Sequence, residues 1–259
     1  MITVKNLSKH FGGIKAVDGV DLHIDRGSIT GLVGPNGAGK TTMFNLIAGL
    51  YQPTEGEIIL DGENVTELTS HQLFHKGLLR TFQISHEFPT LSVLENLMMV
   101  PANQSGEHLM NTWLKRKQIQ EEEKILQEKA EEVIDFLNIS HLKNERAGNL
   151  SGGQKKLLEL ARTMMVEAKV VLLDEVGAGV NRTLLKQIGD AILRLNQEQG
   201  YTFCMIEHDM EFISKLCDPV IVMDEGGVLT RGSAQEVMAN DSVIESYLGA
   251  GRKTRNTHQ

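Results

Sequence analysis

The sequence predicts an α/β fold with a mostly parallel, doubly wound sheet, an antiparallel β-subdomain at the N-terminus and an inserted helical subdomain. Continuous apolar runs such as Val170–Leu173 alternate with helical segments, as they do when parallel strands are buried on both faces. Apolar and polar residues alternate over Ile2–Val4 and Val20–Ile24, which is typical of strands with one buried face. Between Leu91 and Leu142 the apolar residues recur at helical spacing.

We expect one domain over residues 1–259, without internal repeats. Residues 1–83 and 165–250 form the predicted α/β core with its β-subdomain, and residues 84–164, with approximate boundaries, form the helical subdomain. Residues 251–259 are predicted to be a flexible, solvated tail.

The composition is that of an ordinary globular protein, with 41% apolar and 23% charged residues. A net charge of −8 argues against nucleic acid as the main partner, because no overall positive field would hold phosphates. No apolar run approaches the ~18–20 residues that span a bilayer, and the N-terminus lacks the pattern of a signal peptide. Cys204 and Cys217 match no metal-ligand spacing and are predicted to be free thiols, so we expect a cytoplasmic protein.

A glycine-rich segment between the apolar run Ile29–Val33 and a helical segment matches the phosphate-binding pattern G-x-x-x-x-G-K-[ST]. Glycines let successive backbone N–H groups converge on a polyphosphate, and the helix N-terminus adds partial positive charge. We expect Lys40 to reach the β- and γ-phosphates of a nucleoside triphosphate and the Thr41 hydroxyl to ligate Mg²⁺. The alternative interpretation is a plain glycine-rich turn or a loop for another anion, and both flanks of the segment argue against it. The predicted contact residues are Gly34, Pro35, Asn36, Gly37, Ala38, Gly39, Lys40, Thr41 and Thr42.

Two acidic residues, Asp174 and Glu175, follow the apolar run Val170–Leu173, at the sheet edge where ligands bind in open α/β folds. Phosphoryl transfer needs a carboxylate on Mg²⁺ and a group that orients the attacking water, and we assign Asp174 and Glu175 to these two roles. Taken alone, an Asp-Glu pair after a strand is also found as a helix cap or an ion pair, and the preceding phosphate loop favours the functional interpretation. His208 ends another predicted strand at the same edge and is expected near the terminal phosphate, although a lone histidine is more often structural.

The segment Leu-Ser-Gly-Gly-Gln at 150–154 is predicted to begin a helix. Ser151 and Gln154 match a capping box, which is the structural interpretation. Gly152 and Gly153 weaken the first turn of a helix, and the close approach of an anion to bare N–H groups would explain them. Two anion-binding helix N-termini far apart in sequence suggest two faces of one nucleotide site that is shared between subunits.

In their order along the chain, these motifs resemble those of ATP-binding cassette proteins, and the resemblance covers nearly the whole sequence. It implies a P-loop NTPase core that uses ATP and Mg²⁺. It also implies a head-to-tail dimer, with two ATP molecules between the phosphate loop of one subunit and the Ser151–Gln154 segment of the other. By the same resemblance, Phe11 stacks on adenine and Gln83 links Mg²⁺ and water to the helical subdomain. The implied catalytic residues are Glu175, His208 and Gln83, and the implied Mg²⁺ ligands are Thr41, Gln83 and Asp174.

Within that family the chain is most similar to ATPase subunits of branched-chain and neutral amino-acid importers, and ATPases of lipopolysaccharide export and urea import look similar. Segments such as Arg80–Gln83 and Ala178–Asn181 carry this finer resemblance. It implies transmembrane permease subunits, a second identical or homologous ATPase subunit, an indirectly coupled substrate-binding protein, and a location at the inner face of the cell membrane. Val176 and Arg182 stand where the family usually has proline, which puts the coupling between subunits in doubt but not ATP binding.

Two other classes of protein remain as alternatives. A soluble cassette ATPase acting on ribosomes or DNA usually carries two cassettes or a long coiled-coil insertion, and this sequence has neither. A phosphotransferase or GTPase with a phosphate loop would leave 150–154 unexplained, and no Asn-Lys-x-Asp segment for reading guanine is present.

Overall fold

The computed structural model describes residues 1–81, 87–101, 115–166 and 168–253, with the backbone alone over 248–253. The chain forms two compact units. The first unit comprises Met1–Arg80, Lys169–Gly177 and Ile192–Gln259, and the second comprises Thr81–Ala168 and Ala178–Ala191.

The strands of the described residues all belong to the first unit. In chain order they are β1 (Ile2–Phe11), β2 (Ile14–Ile24), β3 (Ile29–Val33), β4 (Glu55–Leu60), β5 (Glu63–Asn64), β6 (Leu78–Arg80), β7 (Val170–Asp174), β8 (Thr202–Ile206), β9 (Val220–Asp224) and β10 (Gly227–Gly232). The helices are α1 (Lys40–Ile47), α2 (Ser70–His75), α3 (Val93–Met98), α4 (Arg116–Phe136), α5 (Gly152–Met164), α6 (Arg182–Gln199), α7 (Met210–Leu216), α8 (Ala234–Met238) and α9 (Asp241–Lys253). Within the described ranges, none of these helices combines the length and the apolar character needed to cross a bilayer.

The larger sheet of the first unit is mostly parallel, with strand order β10-β9-β3-β8-β7-β6. Only the β9–β10 pair is antiparallel among its pairings. Strands β3, β7 and β8 are buried along their whole length, as their continuous apolar sequences predict. Because these strands are parallel, their carboxyl ends meet at one edge, and Asp174 on β7 pairs with Ile206 on β8 at that edge.

The smaller sheet is antiparallel, with strand order β2-β1-β4-β5. One continuous core joins its apolar face to α1 and to the larger sheet, and includes Val4, Ile58, Phe44 and Leu172. Burying each such side chain contributes about 1.5–3 kcal/mol before entropy costs, so this core fixes the segments that carry the predicted site.

The second unit is helical, and two of its helices begin with capping boxes. Ser92 and Glu95 form a capping box at the start of α3, and Ser151 and Gln154 form one at the start of α5. Helix α4 buries the stripe Ala130, Val133 and Ile134, while its charged face is exposed.

Strand β1 extends to Phe11, which pairs with Ile14 at the start of β2. Helix α9 begins at Asp241, and the Asn240 side chain caps it by accepting a hydrogen bond from the Ser242 N–H. The same helix runs to Lys253.

Candidate functional site

The glycine-rich segment lies between β3 and α1, and two of its glycines are fixed by the backbone around them. A Cβ at Gly34 would lie 2.1 Å from the Met223 carbonyl oxygen, and one at Gly39 would lie 2.3 Å from the Ala16 carbonyl oxygen. Gly39 also has a φ of 97°, which disfavours any other residue. The loop is therefore held against β2 and β9, and its shape is a property of the fold.

Lys40 is almost fully buried at the start of α1. Its Nζ donates hydrogen bonds to the carbonyl oxygens of Gly34 (2.8 Å) and Pro35 (3.0 Å). Burial lowers the pKa of Lys40, and the charges of Glu175 and Asp174 act in the opposite direction. The ammonium group therefore lies inside the loop and within electrostatic range of both predicted carboxylates.

The loop has the features that a phosphate chain and Mg²⁺ require. No described side chain caps the N-terminus of α1, which starts directly after Gly39. A Cβ at Gly37 would meet no atom of the residues that the structure describes within 4 Å, so the backbone there is open to a ligand. The Thr41 hydroxyl belongs to an exposed residue, and Asp174 offers a carboxylate in the same unit. The residues present thus fit both groups.

Asp174 is buried at the end of β7 and forms an ion pair with Arg80 at the end of β6. The Arg80 Nη2 atom lies 2.7 Å from Asp174 Oδ2, and the two side chains are 9% and 4% exposed. Arg80 also donates through Nη1 to the side-chain oxygen of Asn45 on α1. Arg80 therefore joins the helix of the phosphate loop to the carboxylate predicted to hold Mg²⁺.

Replacing Arg80 by methionine should destabilise the protein by about 3–5 kcal/mol, because Asp174 would remain as an unpaired buried charge. Urea unfolding measures this loss. Lys76→Met is the matched control, since it removes the exposed Lys76–Glu63 pair and should cost about 0–1 kcal/mol. Equal losses in the two variants would contradict the role given to the buried pair.

Glu175 and His208 lie at the carboxyl ends of β7 and β8, and their side chains are in contact. His208 Nε2 is 3.2 Å from Glu175 Oε1. Glu175 has a φ of 50°, which is unfavourable for a glutamate, and its N–H donates to the Ile206 carbonyl at 3.0 Å. The imidazole is half-exposed and the carboxylate is less so, which leaves both groups accessible to a ligand. Strained backbone of this kind is common at functional sites.

Phe11 is exposed at the end of β1 and is held from two sides. The Tyr51 ring meets it edge-on at a centroid distance of 5.5 Å, and Lys9 Nζ lies 5.3 Å from the ring centroid. The Phe11 residue is 43% exposed, which is unusual for a phenylalanine and compatible with stacking of its ring on a planar ligand.

The two glycines of the Ser151–Gln154 segment have different environments within the second unit. A Cβ at Gly153 would lie 2.2 Å from Leu184 Cδ2, so a side chain there would force Leu184 on α6 to move. A Cβ at Gly152 would meet no atom of the described residues within 4 Å. The capping box is present, which confirms that interpretation. Packing explains Gly153, whereas among the described residues nothing gives Gly152 a steric reason.

The remaining predicted positions are placed as follows. Gln83 lies outside the described residues. Val176, where proline was expected, is buried after Glu175 in the first unit. Arg182, the second departure, is exposed at the start of α6 and lines a cavity of about 460 Å³ together with Ser151 and Gln154.

The sequence interpretation gave no role to two charged residues, the buried Glu207 and Arg80, whose side chain is 9% exposed. The Glu207 carboxylate accepts backbone hydrogen bonds from the Gly177 and His208 N–H groups. Neither residue belongs to a local pattern. Asp174 lies 94 residues from Arg80 in sequence, and Gly177 lies 30 residues from Glu207. For Glu207 the available signal was a charged residue between the end of a predicted strand and the predicted site residue His208.

The geometry agrees with comparisons to known proteins. A family model described as ABC transporter matches residues 17–178. The chain is 39% identical over 254 residues to a protein of Archaeoglobus fulgidus named probable branched-chain amino acid transport ATP-binding protein LivG, and the match covers 96% of each chain.

Solved structures of ATP-binding cassettes have the same fold. A nucleotide-free cassette from an ABC transporter superposes with a TM-score of 0.82 at 35% identity, covering 95% of this chain and 97% of that one. A dimeric cassette bound to ADP and Pi, in a post-hydrolysis state, has a TM-score of 0.74 at 25% identity, covering 90% of this chain and 99% of that one. The predicted fold class and the predicted family are confirmed.

Proposed function

Since the chain belongs to the ABC transporter family, we propose that it is the ATP-hydrolysing subunit of an importer for branched-chain or neutral amino acids. One observation carries the assignment to ATP hydrolysis. The phosphate loop with Lys40 inside it, the Asp174–Glu175 pair and His208 all lie in the first unit, where Lys40 feels the charges of both carboxylates. The similarity to a branched-chain amino acid transport protein supports the importer.

In this proposal the phosphates of ATP bind along Gly34–Thr42, and adenine stacks on Phe11. Glu175 accepts a proton from the attacking water, while Lys40 and His208 contact the γ-phosphate. Mg²⁺, when bound, would offset the negative charge of the phosphate oxygens, and Thr41, Asp174 and Gln83 are its proposed ligands. Residues Pro35, Asn36 and Ala38 contribute backbone groups to the same loop.

The site needs a second ATPase subunit, identical or homologous, in a head-to-tail dimer. The Ser151–Gln154 segment of one subunit would contact the γ-phosphate held by the other. Gly152 supports this proposal, because it is exposed and no atom in the described part of the chain explains the absence of a side chain.

The two glycines of the Ser151–Gln154 segment give a matched pair of variants. Gly152→Ala should leave the free energy of unfolding unchanged or raise it by up to about 1 kcal/mol, since alanine favours helix, and should nevertheless lower the ATPase rate. Gly153→Ala should lower the free energy of unfolding by about 1–3 kcal/mol, because its Cβ meets Leu184. Urea unfolding and a coupled ATPase assay measure the two effects. Full ATPase activity in Gly152→Ala would contradict the proposed contact.

The other proposed partners are transmembrane permease subunits and, through them, a substrate-binding protein, which place the chain at the inner face of the membrane.

The proposed division of the chain is an α/β core over 1–83 and 165–250 and a helical subdomain over about 84–164. In this proposal the helical subdomain faces the permease.

Amino-acid uptake tests the function in cells. In a strain whose only copy of the gene encodes Glu175→Gln, uptake of labelled leucine, isoleucine and valine should fall to background. Uptake of labelled lysine serves as the control and should not change. Undiminished leucine uptake, with the variant present at the wild-type level, would contradict the importer.

A further inference from the structure

Glu207 is a buried carboxylate that contacts both loops of the proposed hydrolytic site. It follows β8 directly and is 5% exposed. Its Oε1 accepts a hydrogen bond from the Gly177 N–H at 2.7 Å, and its Oε2 accepts one from the His208 N–H at 3.3 Å. One side chain therefore holds the backbone of two segments that come from different strands.

These two segments carry the groups proposed to act on the γ-phosphate. Gly177 comes two residues after Glu175, and His208 is itself the second group. Since Asp174 pairs with Ile206 in the sheet, Glu175 and Glu207 are the first residues after the paired ends of β7 and β8. The bond to Gly177 thus closes the loop that begins at the strained Glu175, whose φ is 50°.

A carboxylate is suited to this position in a way that an amide is not. Both of its oxygens accept hydrogen bonds, whereas a glutamine offers one acceptor and would direct its NH₂ group at the other backbone N–H. The burial of Glu207 raises the pKa of its carboxyl, and the N–H groups of Gly177 and His208 oppose that rise. The titratable groups that face it are His208, Glu175 and Cys217.

A buried carboxylate costs stability unless hydrogen bonds or an opposite charge offset its loss of solvation. The two strands do not need Glu207 to hold them together, because β7 and β8 are already joined by their ladder from Val170–Thr202 to Asp174–Ile206. What Glu207 adds lies beyond the ends of the strands, where it fixes the loops of Glu175 and His208.

We propose that Glu207 is a positioning residue for hydrolysis, which keeps the Glu175 carboxylate and the His208 imidazole in contact by holding the Gly177 and His208 N–H groups. The inference rests on the proposed function. It assigns no contact between Glu207 and ATP, and it predicts that the residue acts on turnover and not on nucleotide binding.

The variant Glu207→Gln tests this inference, because it keeps the size of the side chain and removes one acceptor and the charge. We expect kcat for ATP to fall by about tenfold to a hundredfold, as misplacement by about 1 Å does elsewhere. The Kd for ATP should stay within about twofold of wild type, since the phosphate loop is untouched. The Tm at pH 8 is measured beside kcat, because loss of the buried charge raises stability and loss of one acceptor lowers it, and kcat should fall even where these two effects cancel.

The Tm difference also has a defined pH dependence. Because the folded pKa of Glu207 lies above its unfolded value, ionisation lowers the stability of the wild type as pH rises through these values. The Tm of Glu207→Gln relative to wild type should therefore increase from pH 5 to pH 8. A relative Tm that decreases over this range would overturn the assignment of a buried carboxylate whose ionisation is unfavourable.

The matched control is Glu236→Gln at the start of α8. Glu236 Oε2 also accepts a backbone hydrogen bond, from the Ser233 N–H at 2.7 Å, and lies in a helix cap outside the site. Its kcat should equal that of wild type. The inference is overturned if the wild type is active and Glu207→Gln has the same kcat. It is also overturned if the variant loses activity only in proportion to a lower Tm.

Two further measurements separate the possible failures. If Glu207→Gln does not fold, hydrogen exchange on the wild type still decides, because the Gly177 amide should exchange slowly and rapid exchange would overturn the contact. If the wild type shows no ATPase activity, or if its activity persists in Lys40→Ala, the proposed function fails. That result is distinct from a failure of the positioning role.

Discussion

Replacing Glu175 by glutamine should lower the steady-state ATPase rate by about a hundredfold or more, since removing a general base typically costs 10²–10⁴-fold. Binding of ATP should remain, because Lys40 and the loop Gly34–Thr42 are unchanged. The glutamine side chain preserves the size of the residue and one oxygen that faces His208. In the wild type, His208 Nε2 lies 3.2 Å from Glu175 Oε1. A coupled assay for ADP release and a fluorescence titration with labelled ATP measure the two quantities.

The chain contains a close control for this variant. Glu225 follows Asp224 at the end of β9 as Glu175 follows Asp174 at the end of β7, and it too has a positive φ, of 43°. Glu225 is exposed in the turn to β10, so Glu225→Gln should keep the wild-type rate. Equal rates for Glu175→Gln and wild type would remove Glu175 from the proposed chemistry.

Replacing Lys40 by alanine should raise the Kd for ATP by about tenfold to a hundredfold, since hydrogen bonds to charged groups contribute roughly 1.5–3 kcal/mol. The buried ammonium is the cation inside the loop, and the Glu175 and Asp174 charges favour its protonated form. Without it, those carboxylates would repel the incoming phosphates. Isothermal titration with ATP and Mg²⁺ measures the change.

Lys215→Ala is the control for charge alone. Lys215 is 68% exposed on α7, where it pairs with Glu211, and its loss should leave the Kd for ATP unchanged. Tight binding of ATP by Lys40→Ala would mean that the nucleotide binds elsewhere or that the loop backbone suffices.

The parts of the site that the sequence predicts are those formed by local patterns. The phosphate loop depends on glycine spacing between a strand and a helix, and the structure places Lys40 inside it. The run Val170–Leu173 predicts a buried parallel strand, and its position in the sheet brings Glu175 to the same edge as His208. Capping boxes at Ser92 and Ser151 follow from residues three apart.

The parts that the sequence does not predict depend on contacts between distant segments. The Arg80–Asp174 pair and the Glu207–Gly177 hydrogen bond join strands whose order in the sheet is not encoded by any local spacing.

The Ser151–Gln154 segment shows how one pattern can have two causes. From the sequence, the approach of an anion explains both glycines. In the structure, the contact with Leu184 is a sufficient reason for glycine at position 153. That contact lies 31 residues along the chain, on α6, and sequence alone does not reveal it. Gly152 is thus the more informative position for the proposed second subunit.

Co-purification from native membranes tests the central claim most directly. The chain would be tagged, the membranes solubilised gently, and the associated proteins identified by mass spectrometry. We expect two polytopic membrane proteins, a second or identical ATPase, and a binding protein for branched-chain or neutral amino acids. Recovery with envelope-bridging proteins, or without any membrane protein while ATPase activity persists, would contradict the assignment to an amino-acid importer.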